Sequence, residues 1–158
     1  MSKKTGWMYK GSHFTESDYE NKRLEGFMGF IYMITETNTG MKYIGKKQFT
    51  KPKILPITKT RKRRSRTVVE SDWREYYSSS PTIMEEVSSG NREGYTREML
   101  DFGKSKGDLS YLEAREQILR NVLLRDDYIN GIVNMKVHRK HLKLTENDLL
   151  RLPIPKPW

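Results

Sequence analysis

Residues 30–45 read Phe30-Ile31-Tyr32-Met33-Ile34-Thr35-Glu36-Thr37-Asn38-Thr39-Gly40-Met41-Lys42-Tyr43-Ile44-Gly45. An apolar run, a Thr/Asn/Thr/Gly cluster and a second apolar block, in that order, predict strand, tight turn, strand. The hairpin spans 28–35 and 41–45 and puts Tyr32 and Tyr43 on neighbouring strands. A basic run begins at the next residue, Lys46. Two phenols beside a cationic surface point to the handling of a phosphodiester.

Charge sharpens that reading. Residues 46–66 hold ten Lys and Arg and no acid, out of 30 basic and 20 acidic residues in the chain, whose net charge is +10. Outside the segment the charges balance, so the whole excess sits in one stretch directly after the second tyrosine block. Such a segment draws polyanions through counterion release, although a merely solvated loop would have the same composition. We expect a nucleic acid as the partner, with Lys59, Arg61, Lys62, Arg63, Arg64 and Arg66 as the contacts. There is no cysteine, which excludes disulfide and zinc-thiolate sites and agrees with a reducing cytoplasm. No apolar run approaches membrane-spanning length, and the first residues lack the apolar stretch of a secretory signal. Neither a membrane nor a small-molecule cofactor is expected.

The length of 158 residues allows one core. We read 1–26 as an arm that packs a few aromatics on the domain, 27–134 as the domain proper with a basic loop inserted at 46–66, and 135–158 as a basic extension. Pro52 and Pro56 argue for a loop in the insertion. A short helix is expected over 70–77 and another from Pro81, with Pro at the first helical position and Gly90 past its end. Residues 95–102 read as a third strand and Gly103–Gly107 as a loop. The main helix is expected over 110–124, and Thr145-Glu146-Asn147-Asp148 opens a last one with a box-like cap. The sequence 153–158 is too rich in proline to be helical. The fold expected is α/β, a small antiparallel sheet of about three strands flanked by helices.

Phosphodiester hydrolysis calls for an oxygen ligand to a hard divalent cation, and the helix over 110–124 offers Glu113 and Glu116. Glu113 also fits a capping box with Ser110, whereas Glu116 lies nearer the apolar stripe, so pattern alone slightly favours Glu116. A tyrosine close to a metal or lysine can act on water. Lys46 and Lys47 can neutralise a phosphate. Trp73, Tyr76 and Ser78 are read as further DNA contacts, and 138–143 as a second basic strip. Asp126-Asp127 reads as a solvated helix end.

The hairpin, Gly45-Lys46-Lys47, the block 70–79, Tyr111-Leu112-Glu113-Ala114-Arg115-Glu116-Gln117 and Tyr128-Ile129-Asn130 together resemble the GIY-YIG endonucleases, bacteriophage-type members in particular, over roughly 28–134. Phe30 stands where the family usually has Gly. The resemblance implies a Mg²⁺-dependent (or Mn²⁺-dependent) DNA endonuclease of the host-cell cytoplasm, with double-stranded DNA as its partner. It implies Glu113 as the metal ligand, Tyr32 to orient or deprotonate water, Tyr43 to support it, Lys46 and Lys47 on the phosphate, and Asn130, or less well Asn134, beyond the helix. The family's catalytic Arg has no single counterpart; Lys46, Lys47, Arg61, Arg63, Arg64 and Arg66 are the candidates. The readings set against it are a DNA-binding module that has lost activity and a basic RNA-binding protein.

Overall fold

The computed structural model describes residues 2–155. Two sheets and four α-helices follow in the order β1 (Lys4–Tyr9), β2 (Ser12–Thr15), α1 (Glu16–Leu24), β3 (Gly29–Glu36), β4 (Lys42–Gln48), β5 (Thr50–Leu55), β6 (Ser65–Glu70), α2 (Pro81–Ser88), β7 (Tyr95–Gly103), α3 (Lys106–Leu119) and α4 (Glu146–Leu150). The main sheet runs β2-β1-β7-β3-β4. It therefore has five strands where about three were expected. All its neighbours are antiparallel except β1 and β7, which are parallel.

The extra strands come from the segment expected to be an arm. Thr5 and Trp7 alternate with exposed residues and are buried, the period of a half-buried strand. Lys10 and Gly11 both take positive φ, 49° and 79°, the two-residue turn that suits the twist of a hairpin. Thr15 then caps α1 in a reciprocal box with Asp18.

Along β3, Phe30, Tyr32 and Ile34 face one side of the sheet and Ile31 the other. The first side is aromatic. Trp7, Phe14, Phe30, Phe49, Trp73 and Phe102 pack there, mostly edge to face, with the Trp7 and Phe30 centroids 4.9 Å apart, the geometry the ring quadrupoles favour. Phe30 is fully buried among them, so an aromatic core fills the place of the smaller residue. On the other side Ile31 and Ile44 meet Leu109 and Leu112 of α3. The ladder between β3 and β7 shifts register between Ile31 and Tyr32, which lets Met99 and Phe102 share the aromatic side although three positions separate them.

α3 starts one turn before its expected position. Ser105 accepts from the Asp108 amide at 2.9 Å, and the buried Asp108 carboxylate accepts from the amides of Lys104, Lys143 and Leu144 at 2.9, 2.7 and 3.1 Å. Gly103–Gly107 is thus strand end and helix start rather than loop. Gly107 is glycine because a Cβ would meet the His141 carbonyl at 2.7 Å; here the tail of the chain lies on the helix. Residues 72–75 are a turn, not a helix. α2 has Pro81 in its first turn, and α4 has the expected Thr145–Asp148 box. The insertion is not a loop either: β5 and β6 pair into a separate antiparallel ribbon with 56–64 as its tip. Pro52 is tolerated there because a two-stranded ribbon consists of edges. Residues 153–155 are non-helical, and 156–158 lie outside the described residues.

Candidate active site

β4 is the outer strand of the sheet, and only half of its edge is covered. The Lys42 amide donates to the Asp127 carbonyl and the Ile129 amide to the Lys42 carbonyl, both at 2.9 Å. Asn130 grips the next outward residue with both ends of its amide: Oδ1 accepts from the Ile44 N–H at 3.0 Å and Nδ2 donates to the Ile44 carbonyl at 2.9 Å. Gln117 adds a bond to the same carbonyl at 3.2 Å. Asn130 is therefore a backbone clamp on β4, with its amide committed to Ile44. The alternation of an edge strand turns the Lys46 backbone outward next, at the start of the open half.

On the aromatic side of this edge stand Tyr32, Tyr43, Tyr76 and Lys47. Tyr32 pairs with Gly45 across the ladder, and its ring occupies the space that any Cβ at Gly45 would take; this close approach is why the second tyrosine block ends in glycine. Tyr32 is fully buried and its hydroxyl has no partner among the described residues. Burial, then the nearby Tyr76, pushes it well above the ordinary tyrosine range, which keeps it a neutral phenol. Tyr43 is half-buried, and its hydroxyl lies 2.9 Å from Ser79 Oγ. Lys47 Nζ sits 4.0 Å from the Tyr76 ring centroid and 2.7 Å from Asp72 Oδ1; that hydrogen bond lowers the Asp72 pKa. The segment carrying Tyr76 is itself held by buried Arg97, which donates to the carbonyls of Arg74 and Tyr76 at 2.8 and 2.9 Å.

On the helix side Lys46 Nζ donates to Ser110 Oγ at 2.8 Å and stands 4.0 Å from Glu113 Oε1. The Glu113 side chain keeps 18 % of its exposure. Burial raises its pKa and Lys46 opposes the rise. Glu116 differs in every respect. Its side chain is 4 % exposed and is bound by Arg115 at 3.1 Å and Arg120 at 3.0 Å. It also lies against Asp101, whose carboxyl is pushed up to about 8 by burial and then by Glu116. Glu116 belongs to a closed ionic cluster, and of the two candidates only Glu113 faces the edge. The capping alternative for Glu113 falls away, since Ser105 is the cap and Ser110 lies in the second turn.

A cavity of about 500 Å³ runs over the open half of β4, between the β5–β6 ribbon and α3, lined by Lys46, Lys47, Lys51, Tyr76, Lys106 and Ser110 among others. Lys106, Ser110 and Glu113 are spaced four and three apart, one helix face. Only a helix starting at Lys106 brings that face into view.

The family model described as "Putative endonuclease segE, GIY-YIG domain" matches residues 7–133, well over half of the chain. The chain belongs to the GIY-YIG endonucleases. No curated protein and no solved structure matches it. In this GIY-YIG nuclease domain, which implies a DNA substrate, the matched segment begins at Trp7 and so takes in the second half of β1, with the tryptophan that the aromatic core requires.

The DNA-facing residues expected from sequence divide in two. Lys59, Lys62, Arg63, Arg64 and Arg66 are exposed on the ribbon and its tip, and half-buried Arg61 donates to the Pro56 carbonyl at 3.1 Å. Tyr76 lines the cavity. Trp73 instead is fully buried, its Nε1 donating to Glu70 at 2.9 Å; a large apolar ring beside the aromatic core packs rather than reaching solvent. Ser78 is buried too, its Oγ accepting from the Ser80 amide at 2.7 Å, which fixes the turn before α2. In the second basic strip Arg139–His141 form one 3₁₀ turn, exposed on the surface. Asp127, expected as a solvated helix end, is tied to Lys42 at 3.2 Å. Among the described residues no helix is long and apolar enough to cross a membrane, and no three His, Cys, Asp or Glu gather in a metal-holding group.

Proposed function

We propose that this GIY-YIG domain hydrolyses phosphodiester bonds of double-stranded DNA with Mg²⁺ or Mn²⁺, the reaction taking place at the open half of the β4 edge. One observation carries the reading: Glu113, a partly exposed carboxylate of α3, stands 4.0 Å from Lys46, which lines the basic cavity at the edge of β4. A single hard oxygen donor without a protein cage suits a cation that keeps its waters and completes its shell with phosphate oxygens. Glu113 would hold it, and when bound it would stabilise charge on the leaving oxygen.

The protein's own groups have distinct tasks. Lys46, now held by Ser110 and Glu113, turns its ammonium to the scissile phosphate, and Lys47 approaches the same phosphate from the aromatic side; between them they take the part of the family's arginine. Tyr43 carries the half-exposed hydroxyl and positions the attacking water, with Ser79 fixing its direction. Tyr32 stands behind it as a neutral hydrogen-bond donor, because burial opposes its ionisation. Asn130 acts through β4 by holding Ile44, which sets the height of Tyr43 and Lys46. We read the protein as phage-encoded, on its resemblance to phage-type members, and as working in a reducing cytoplasm, which suits a chain without cysteine.

The test is conversion of supercoiled plasmid to nicked or linear forms with Mg²⁺, Mn²⁺ or EDTA. Cleavage with either metal and none with EDTA is the expected result. Binding without cleavage under all three conditions would leave a DNA-binding module on a nuclease fold. Preferential binding of double-stranded RNA over DNA would make the chain an RNA-binding protein.

A further inference from the structure

The β5–β6 ribbon carries a second kind of surface that phosphate contact does not use. Its register pairs Pro52 with Val68 and Ile54 with Arg66, so these four side chains share one face. Ile54 is 58 % and Val68 65 % exposed, on the most basic and acid-free part of the chain. Solvated apolar groups next to one another on a projecting ribbon gain nothing where they are. Phosphates would satisfy the lysines and arginines, and the thymine methyl groups on the base edges would give the apolar pair a partner. The ribbon's dimensions agree: a two-stranded ribbon fits the major groove of B-form DNA, roughly 12 Å wide, and six residues reach roughly 20 Å along it. A second copy of the chain is disfavoured by like charge across the ribbon, and the major groove of an RNA duplex is too narrow.

We propose that the β5–β6 ribbon enters the major groove and selects sequence, with Ile54 and Val68 covering thymine methyl groups and Arg66 on the same face reading a neighbouring base edge. The ribbon then sets where the enzyme stops, while the tip residues Arg61, Lys62, Arg63 and Arg64 supply sequence-independent affinity. The inference rests on the reading that duplex DNA is the substrate, but not on hydrolysis.

The test separates the two. Linear duplexes with a randomised segment are selected for binding in EDTA, where no cleavage is expected, and the bound fraction is sequenced. Wild type is expected to enrich a thymine-containing motif, and the double variant Ile54→Ser, Val68→Ser to lose the enrichment while its affinity for the unselected library at low salt changes less than about threefold. Replacing thymine by deoxyuridine in the selected motif removes only methyl groups; it should weaken wild type by about fourfold per methyl and leave the double variant unchanged. Neutralising Arg61, Lys62, Arg63 and Arg64 together should weaken binding yet leave the same motif enriched. An unenriched wild-type pool, a motif kept by the double variant, or indifference to deoxyuridine each overturns the proposal; the last, together with preference for flexible pyrimidine–purine steps, would mean a minor-groove wedge instead. Enrichment in a protein that never cuts plasmid would sink the hydrolysis and spare the ribbon. Cutting without enrichment would do the reverse. Both substituted positions are exposed, so an unchanged melting temperature certifies the fold.

Discussion

Glu113 and Glu116 lie less than one turn apart on the same helix and live in opposite worlds. Glu113 is partly solvated and opposed at 4.0 Å by Lys46, which lines the cavity. Glu116 is enclosed, with two arginines at 3.0–3.1 Å on its oxygens and a raised Asp101 beside it. A carboxylate whose partners are already in place is a structural ion; one whose shell is incomplete can take another cation. Three residues turn an α-helix through about 300°, a net offset of about 60°, and that offset is enough to separate the two roles.

The sharpest way to break this contrast is Glu113→Ala. Cleavage with Mg²⁺ should fall by roughly a thousandfold or more, as expected when metal-borne charge stabilisation is lost, with DNA affinity and melting temperature nearly unchanged. Normal cleavage in Glu113→Ala together with loss in a folded Glu116 variant would invert the comparison. Next comes Glu116→Ala, which strands Arg115 and Arg120. Removing one side of a buried ionic pair costs about 3–5 kcal/mol, so the urea midpoint should drop sharply while the turnover of whatever remains folded stays near wild type.

Tyr43→Phe keeps the ring and deletes the hydroxyl on the exposed side of the edge. We expect a loss in turnover on the order of a hundredfold, little change in stability, and a smaller loss for Tyr32→Phe, whose hydroxyl is buried behind it. If Tyr32→Phe is the slower enzyme, the buried phenol handles the water after all.

The smallest effect on cleavage should be that of Asp101→Asn, whose signature lies in stability. A carboxyl whose pKa is raised in the folded state contributes stability that is fully present below its unfolded value and is lost as pH rises through about 8. Asparagine does not titrate, so the variant should gain on wild type steadily from pH 5 to pH 8, by up to about 1.4 kcal/mol per pH unit. Parallel stability curves across that range would mean Asp101 is ionised throughout.

Much of the site was legible before the structure, and the illegible parts have physical causes. The hairpin was clear because β3 and β4 are adjacent in sequence and joined by turn residues. Pro81, Gly90 and the Thr145 box mark helix ends through local chemistry, which needs no tertiary context. β1 was hidden because six residues with two buried positions give too short a period, and its partner β7 lies some ninety residues on. The start of α3 was hidden because glycine at 103 and 107 reads as loop; both glycines are there for close packing, against Leu109 and His141. That error placed Ser110 at a cap and made Glu113 look structural. Pattern preferred Glu116 for its nearness to the core, where it does sit, but burial among arginines is what removes it from the edge. Trp73 and Ser78 were misread for a related reason: a polar-flanked Trp-x-x-Tyr-Tyr-Ser block says nothing of which ring turns inward.

The parallel pairing of β1 with β7 also has a consequence in time. As the chain leaves the ribosome, β3 with β4 and β5 with β6 can each pair between neighbours in sequence, and such hairpins close within roughly 1–10 μs. β1 must wait until residues 95–103 have emerged, and Trp7 and Phe14 wait with it. Pairings of long sequence separation are slow, so the nascent protein passes through a stage in which its basic ribbon is formed and its aromatic core is still open. A polyanion arriving at that stage would meet the basic ribbon before α3, and Glu113 with it, has formed.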